Sequence, residues 1–358
     1  MNKEIKNFYN SIFSLKPYSL NRKEKLSLFS KGMNILTKFH FKKNYEYRSI
    51  LKKNNYVKKK NLTLENLPFL PVSIFKNFTL VTSDIKKIER IATSSGTTGS
   101  KVSKIYLDRE NSINQVRVLN KILLDYFGNK KGSMLVMLPE IKNARTKDIN
   151  AKMAAVKGFS ILANKIYYSM KNKKIDMKVI KSFLNDRNKQ KFIFGFTYDI
   201  WKHLHLEISK KNEKLNFKNV ILIHGGGWKK FEKDSISNKE YKRILIKNYN
   251  FKKVINYYGM IEQTGSIFLE CNVCNSFISS NYSDIFIRDK NFNVIENKPG
   301  LVQLLSLLPT SYPGHNIITE DIGEIVNIKC KECSKKNFKQ FIIHGRVKNS
   351  EIRGCSNI

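Results

Sequence analysis

Five cysteines carry the most distinctive chemistry in this 358-residue sequence: Cys271, Cys274, Cys330, Cys333 and Cys355. The first four form two C-x-x-C pairs, "CNVC" and "CKEC". Each pair offers two thiolates to one ion, and four thiolates close a tetrahedral zinc site with bonds of about 2.3 Å. The pairs of such sites commonly lie about 15–20 residues apart, whereas 55 residues intervene here. The two pairs are therefore expected to meet through the fold and to staple distant segments together. A redox role would account for one C-x-x-C and leave the other unexplained. Four ordinary buried thiols would have no reason to fall into two such units. Cys355 is left over, near the end of "GRVKNSEIRGCSNI".

A second stretch is built for an anion. In "TSSGTTGSK", Thr93 to Lys101, Gly96 and Gly99 let the backbone turn its N–H groups onto a phosphate. Ser94, Ser95, Thr97 and Thr98 add hydroxyl donors and Lys101 adds charge. The spacing is not that of a Walker loop, G-x-x-x-x-G-K-[ST]. Taken alone, such a loop serves equally well as a flexible surface connection. Its place between the strand-like "IERIA" and "KIYLD" favours the anion cradle.

Composition narrows the class. Hydrophobic residues make up 41% and aromatics 11%, which is globular. A net charge of +37 could mark a polyanion partner. The lysines are scattered through "KKNNYVKKKN", "KNKKIDMKVIK" and "IKNYNFKKV", so compositional bias is the expected cause and nucleic acid is not an expected partner. The N-terminus lacks the apolar core of a signal peptide. No apolar run approaches the roughly 18 residues of a membrane span. A cytoplasmic, reducing location is expected.

The elements that must position these residues alternate. Residues 1 to about 65 read as helices with charged faces, and "LPFLPVSIF" as a proline-punctuated loop leading inward. "RENSINQVRVLNKILLDYFG" is a helix ending at Gly128. "SMLVMLP", "KFIFGF", "NVILIHGGGW" and "KKVINYYGM" read as strands, with helical material such as "TYDIWKHLHLEISKK" between them. This alternation predicts an α/β sheet over residues 1–275. Shorter β segments ("SDIFIRDKNFNVI", "GLVQLLSL", "GEIVNIK", "KQFIIHG") predict a β-rich subdomain at 276–358.

Together with its neighbours, the Ser/Thr/Gly loop resembles the phosphate loop of the adenylate-forming enzymes, which activate carboxylates with ATP. "NYYGMIEQTG" is similar to that superfamily's aromatic-glycine-x-x-glutamate motif. The resemblance implies that Tyr257, Tyr258 and Gly259 lie at the adenine and that Glu262 helps hold Mg2+ and phosphate. "ITEDIGEI" resembles the segment whose aspartate, here Asp321, meets the ribose hydroxyls. "HGRVKNSEIRG" resembles the Gly-Arg segment, with Arg346 reaching ribose and phosphate. "HGGGWKK" falls where the superfamily forms the wall of the adenine pocket, which implicates Gly225, Gly226 and Gly227. The substrate carboxylate is itself the nucleophile, so donors, Lys101 and a cation at Glu262 suffice for catalysis. His203 and His205 are expected to be solvated or packing residues, and His224 has no assigned role.

A narrower resemblance runs nearly end to end: the acyl-protein synthetases of bacterial bioluminescence, within the phenylacetate-CoA ligase branch. It rests on "SIFSLKPYSLNRKEK", "LPVSIFKNF", "TSSGTTGSKVSKIYLD", "HGGGWKK", "YGMIEQTGSIFLEC" and "EIRGCS". It implies an adenylate-forming large domain with a small β-rich C-terminal subdomain and without the usual mobile C-terminal domain. It also implies that a fatty acid is adenylated, passed to Cys355 as a thioester and handed to a partner reductase. Cys355 lies nine residues beyond Arg346. An extended tail of that length reaches roughly 30 Å at about 3.3–3.6 Å per residue. Arg353 nearby would favour the thiolate. The paired cysteines depart from what the family requires, and the tail is very short. Competing readings are an acyl-CoA or aryl-CoA ligase, a zinc-ribbon nucleic-acid binder and an acyl-carrier scaffold without adenylation.

Overall fold

Asn21 opens the longest helix by a capping box: its side chain accepts from the Glu24 backbone N–H while the Glu24 carboxylate accepts from its own. This helix belongs to a computed structural model that describes residues 3–54, 56, 62–94, 101–140, 147–171, 174–210, 213–228, 235–333 and 339–347. As expected, the N-terminal region is helical: α1 (Lys3–Ser14), α2 (Arg22–Lys43) and α3 (Tyr45–Lys53). α1 buries Ile5, Phe8, Tyr9, Ile12 and Phe13, a helical spacing of three and four. The proline-rich stretch that follows contains a short strand β1 (Leu70–Pro71) and a single helical turn α4 (Ile74–Asn77).

Strands β2 (Ile88–Thr93) and β3 (Lys104–Asp108) form an antiparallel hairpin around the Ser/Thr/Gly loop. Asp108 caps α5 (Arg109–Phe127), which ends at Gly128 with φ of 87°, a value glycine tolerates. Then come β4 (Gly132–Pro139), β5 (Asp148–Asn150), α6 (Ala151–Phe159), β6 (Ala163–Lys171), β7 (Lys174–Ile175), α7 (Met177–Leu184), β8 (Lys191–Phe196), β9 (Val220–Gly225) and β10 (Lys253–Gly259). β5 joins the hairpin in a small second sheet, in the order β3-β2-β5. β6, β4, β8, β9 and β10 are mutually parallel. The inner strands β4, β8 and β9 are buried on both faces and read as nearly unbroken apolar runs such as "FIFGF".

The remaining strands are β11 (Ile267–Glu270), β12 (Phe277–Ile278), β13 (Ser283–Arg288), β14 (Val294–Ile295), β15 (Gly300–Ser306), β16 (Asn316–Val326) and β17 (Gln340–Arg346). They continue the main sheet in the order β10-β11-β12-β17-β16-β15-β13-β14, antiparallel at every step. The β-rich region is thus the antiparallel half of one sheet whose hydrogen bonding runs across residue 275, through the pairing of β11 with β12. The helix read at "TYDIWKHLHLEISKK" is present, but its middle, Ile200–Leu206, is wound as a π-helix. Among the described residues no helix is long and apolar enough to cross a membrane.

Candidate active site

The carboxyl ends of parallel strands are where open α/β sheets bind ligands, and the motif residues gather at the ends of β9 and β10. Side chains alternate along a strand, so the two tyrosines of "NYYG" part company. Tyr258 donates its hydroxyl to Asp321 Oδ2 at 2.7 Å. Tyr257 turns the other way, packing at 4.7 Å from Phe159 and 6.1 Å from Phe194. Its ring also lies over Gly225, where an added Cβ would come within 2.6 Å of it. Gly226 and Gly227 follow with φ of 78° and 59° and turn the exposed chain away from the sheet.

Asp321 on β16 is paired in register with Arg346 on β17, and Arg346 Nε lies 3.3 Å from Asp321 Oδ1. A register shift next to the pair, between Ile322 and Gly323, leaves one extra residue on β17 and bends the ladder. Burial pushes the Asp321 carboxyl up, and Arg346 and the Tyr258 hydroxyl partly offset this. Arg346 itself is 68% exposed, so its guanidinium keeps donors for a ligand.

Glu262 sits on the turn beyond β10 and is only 8% exposed. Burial raises its pKa against the pull of the nearby Ser103 hydroxyl, Arg346 and Lys76. The turn is held from below. Gln263 Nε2 donates to the carbonyls of Gly314 (2.8 Å) and Leu304 (3.1 Å). The Thr264 N–H donates to Tyr312 Oη at 2.8 Å, and Ser306 Oγ donates to the Thr264 carbonyl at 2.5 Å. The Leu308 carbonyl accepts from both Tyr9 and Asn111, tying α1 and α5 to the same support. None of these partners was legible in the sequence, because they are brought in from separations of 41 to 299 residues.

Of the phosphate-loop residues, Ser94 closes the neck of the hairpin: its N–H donates to the Ser103 carbonyl at 3.1 Å and its Oγ accepts from the Ser103 N–H at 2.9 Å. Lys101 is exposed. Ser95, Gly96, Thr97, Thr98 and Gly99 lie outside the described residues, as does Cys355.

The four paired cysteines meet as expected. Because β12 pairs with β17, the connection from β11 to β12, with Cys271 and Cys274, lies beside that from β16 to β17, with Cys330 and Cys333. All four Sγ atoms fall within 4.8 Å of one another, with Cys271–Cys330 at 3.8 Å and Cys274–Cys333 at 3.7 Å. A disulfide would need about 2.04 Å. Bonds of about 2.3 Å to a central ion give a tetrahedron with edges of about 3.8 Å, so the group fits one zinc.

Five of the six histidines bond or pack within the fold away from this set. His203 bonds Glu207 at 2.8 Å, and His205 lies 4.4 Å from the Trp201 ring. His224 is buried against Tyr241 with Nδ1 3.0 Å from Thr197 Oγ1, and burial holds its pKa down at about 3. His40 and His315 stack at 4.9 Å under the Gly314 turn. Burial holds His40 at about 3 and His315 well below its ordinary value. These neutral rings must take up protons on unfolding, where the pKa is about 6.5. Their contribution to stability is complete above that value and lost as pH falls toward the folded pKa. Melting followed by circular dichroism should show stability declining below about pH 6.5, by up to about 1.4 kcal/mol per pH unit for each ring. His40→Gln should flatten that slope between about pH 6 and 4.

Against this geometry, residues 2–358 match the family described as "Acyl-protein synthetase, LuxE". The chain belongs to the acyl-protein synthetase family. It is 26% identical over 335 residues to the long-chain-fatty-acid–luciferin-component ligase of Aliivibrio fischeri, covering 89% of this chain and 84% of that protein. Identity to the Vibrio harveyi ligase of the same name is 24%, covering 96% and 90%. Among solved structures, an open conformation of 2-hydroxyisobutyryl-CoA ligase superposes with a TM-score of 0.71 at 13% identity, over 93% of this chain and 72% of that one. ATP-bound MatB from Rhodopseudomonas palustris gives 0.50 at 14% identity, over 75% and 50%. The fold of this acyl-protein synthetase is therefore that of the adenylate-forming ligases. On it, Tyr258, Asp321, Arg346 and Glu262 converge, while Tyr257 belongs to the aromatic core behind them.

Proposed function

We propose that the protein adenylates a carboxylic acid with ATP and then carries the acyl group on Cys355 as a thioester. The observation that carries this reading is the linked set Tyr258–Asp321–Arg346 beside the buried Glu262. The names of its relatives make a long-chain fatty acid the substrate of choice, and a reductase that consumes acyl groups is the expected partner. In the first step a carboxylate oxygen bonds to the α-phosphorus and the bond to pyrophosphate breaks. In the second a thiolate attacks the acyl carbonyl and AMP leaves with the electron pair. Asp321 would accept from the ribose hydroxyls, and Arg346 would donate to ribose and phosphate. Tyr258 would hold the Asp321 carboxylate in place, and the glycine turn at Gly225–Gly227 would border the base. Glu262 would hold Mg2+, whose role is to neutralise developing phosphate charge.

This reading predicts that purified protein given labelled fatty acid, ATP and Mg2+ acquires label that hydroxylamine releases. Label released instead as a coenzyme A thioester, with none on the protein, would favour the acyl-CoA ligase reading.

The four-cysteine group would bind one zinc as a staple between the connections flanking β12 and β17. Metal analysis should find one zinc per chain. Cys330→Ser should lower metal content and melting temperature together, because removing a structural metal removes folding free energy. Full stability of a metal-free preparation would contradict this role.

A further inference from the structure

Lys76 is a cation the sequence motifs left without a task, and the fold carries it to the nucleotide site. β1 lies parallel to β16, with Leu70 opposite Ile317 and Pro71 opposite Ile318, and the Val72 N–H donates to the Ile318 carbonyl at 2.9 Å. The segment is thus stitched to the strand that carries Asp321 three residues later. α4 then starts where β16 reaches the site. Ile74 and Phe75 are buried in the cluster that also holds Tyr312, with Met260 and Ile261 of the Glu262 turn packed against it. With those neighbours turned inward, Lys76 faces out, 39% exposed, its Nζ 3.9 Å from Glu320 Oε1. That distance is too long for a charge-assisted hydrogen bond of about 2.7–2.9 Å, so the ammonium is held nearby with its donors uncommitted to Glu320. It acts electrostatically on Glu262 as well, alongside Arg346.

The charge balance gives this position its meaning. Three carboxylates, Glu262, Glu320 and Asp321, converge with the two cations Lys76 and Arg346. A polyanionic triphosphate entering among them is repelled by the carboxylates and drawn to the cation whose donors are uncommitted. We propose that Lys76 contacts the triphosphate of ATP and stabilises the charge that builds as pyrophosphate departs. This rests on the adenylation reading above. The bond that forms joins the acid oxygen to the α-phosphorus. The one that breaks leaves its electron pair on pyrophosphate, toward which the ammonium donates.

The test compares wild type, Lys76→Met, Lys76→Arg and Glu320→Gln by calorimetric binding of Mg·ATP and of AMP, and by acid-dependent ATP–pyrophosphate exchange. Lys76→Met should lose about tenfold or more in ATP affinity or exchange rate, as expected for a charged hydrogen bond. AMP binding should stay within about twofold, as for a surface change. Lys76→Arg should restore most of the loss, and Glu320→Gln should not reproduce it. The proposal is overturned if Lys76→Met behaves as wild type, if AMP binding falls as much as ATP binding, or if Glu320→Gln gives the same loss. A wild type that binds ATP but shows no exchange with any acid would sink the adenylation reading, while the affinity comparison would still decide on Lys76.

Discussion

Cys355→Ser is expected to abolish acyl-protein formation while leaving acid-dependent ATP–pyrophosphate exchange intact. The two half-reactions use different atoms: exchange needs only the nucleotide site and the acid, and transfer needs a nucleophile for the acyl carbonyl. A thiol supplies a few per cent of thiolate at about pH 7, while an unactivated serine hydroxyl supplies almost no alkoxide. Protein-bound label should therefore fall by about a hundredfold or more, with exchange within about twofold of wild type. Label that persists in the variant would place the acceptor elsewhere. Loss of both signals would mean that the thiol also supports adenylation.

Glu262→Gln should do the reverse, lowering exchange and transfer together by about 10²–10³-fold, the cost of losing one group that balances transition-state charge. The pattern of stability distinguishes this from damage to the fold. Burial raises the Glu262 pKa, so the folded state disfavours its charge. A neutral isostere removes that penalty, and the turn keeps the supports supplied through Gln263 and Thr264. The variant should thus melt at or above the wild-type temperature near neutral pH. A fall in melting temperature alongside the lost activity would make Glu262 a structural residue.

Several features were legible because they are local. The helix from Arg109 to Phe127 was readable from its apolar spacing and closing glycine, and the buried parallel strands from their unbroken apolar runs. The two C-x-x-C units announced a shared site, and the fold brings them together because β12 and β17 pair. Long-range matters were not legible. A boundary at 275 reads naturally from the change in strand character, yet one ladder crosses it. "NYYG" offers two tyrosines, and only the phase of the strand tells which one meets Asp321. The carbonyls of Leu304, Leu308 and Gly314, which support the Glu262 turn, have no sequence signature, since any residue has a carbonyl. Lys76 is one lysine among many in the sequence, and only the pairing of β1 with β16 sets it apart.

The most direct test of the central claim is exchange of labelled pyrophosphate into ATP by the wild-type protein, across fatty acids of increasing chain length. Exchange that requires both the acid and Mg2+, and that is strongest with long chains, is the result expected of a site that forms a fatty acyl-adenylate. Absence of exchange with every fatty acid, from a folded protein that binds ATP, would contradict it.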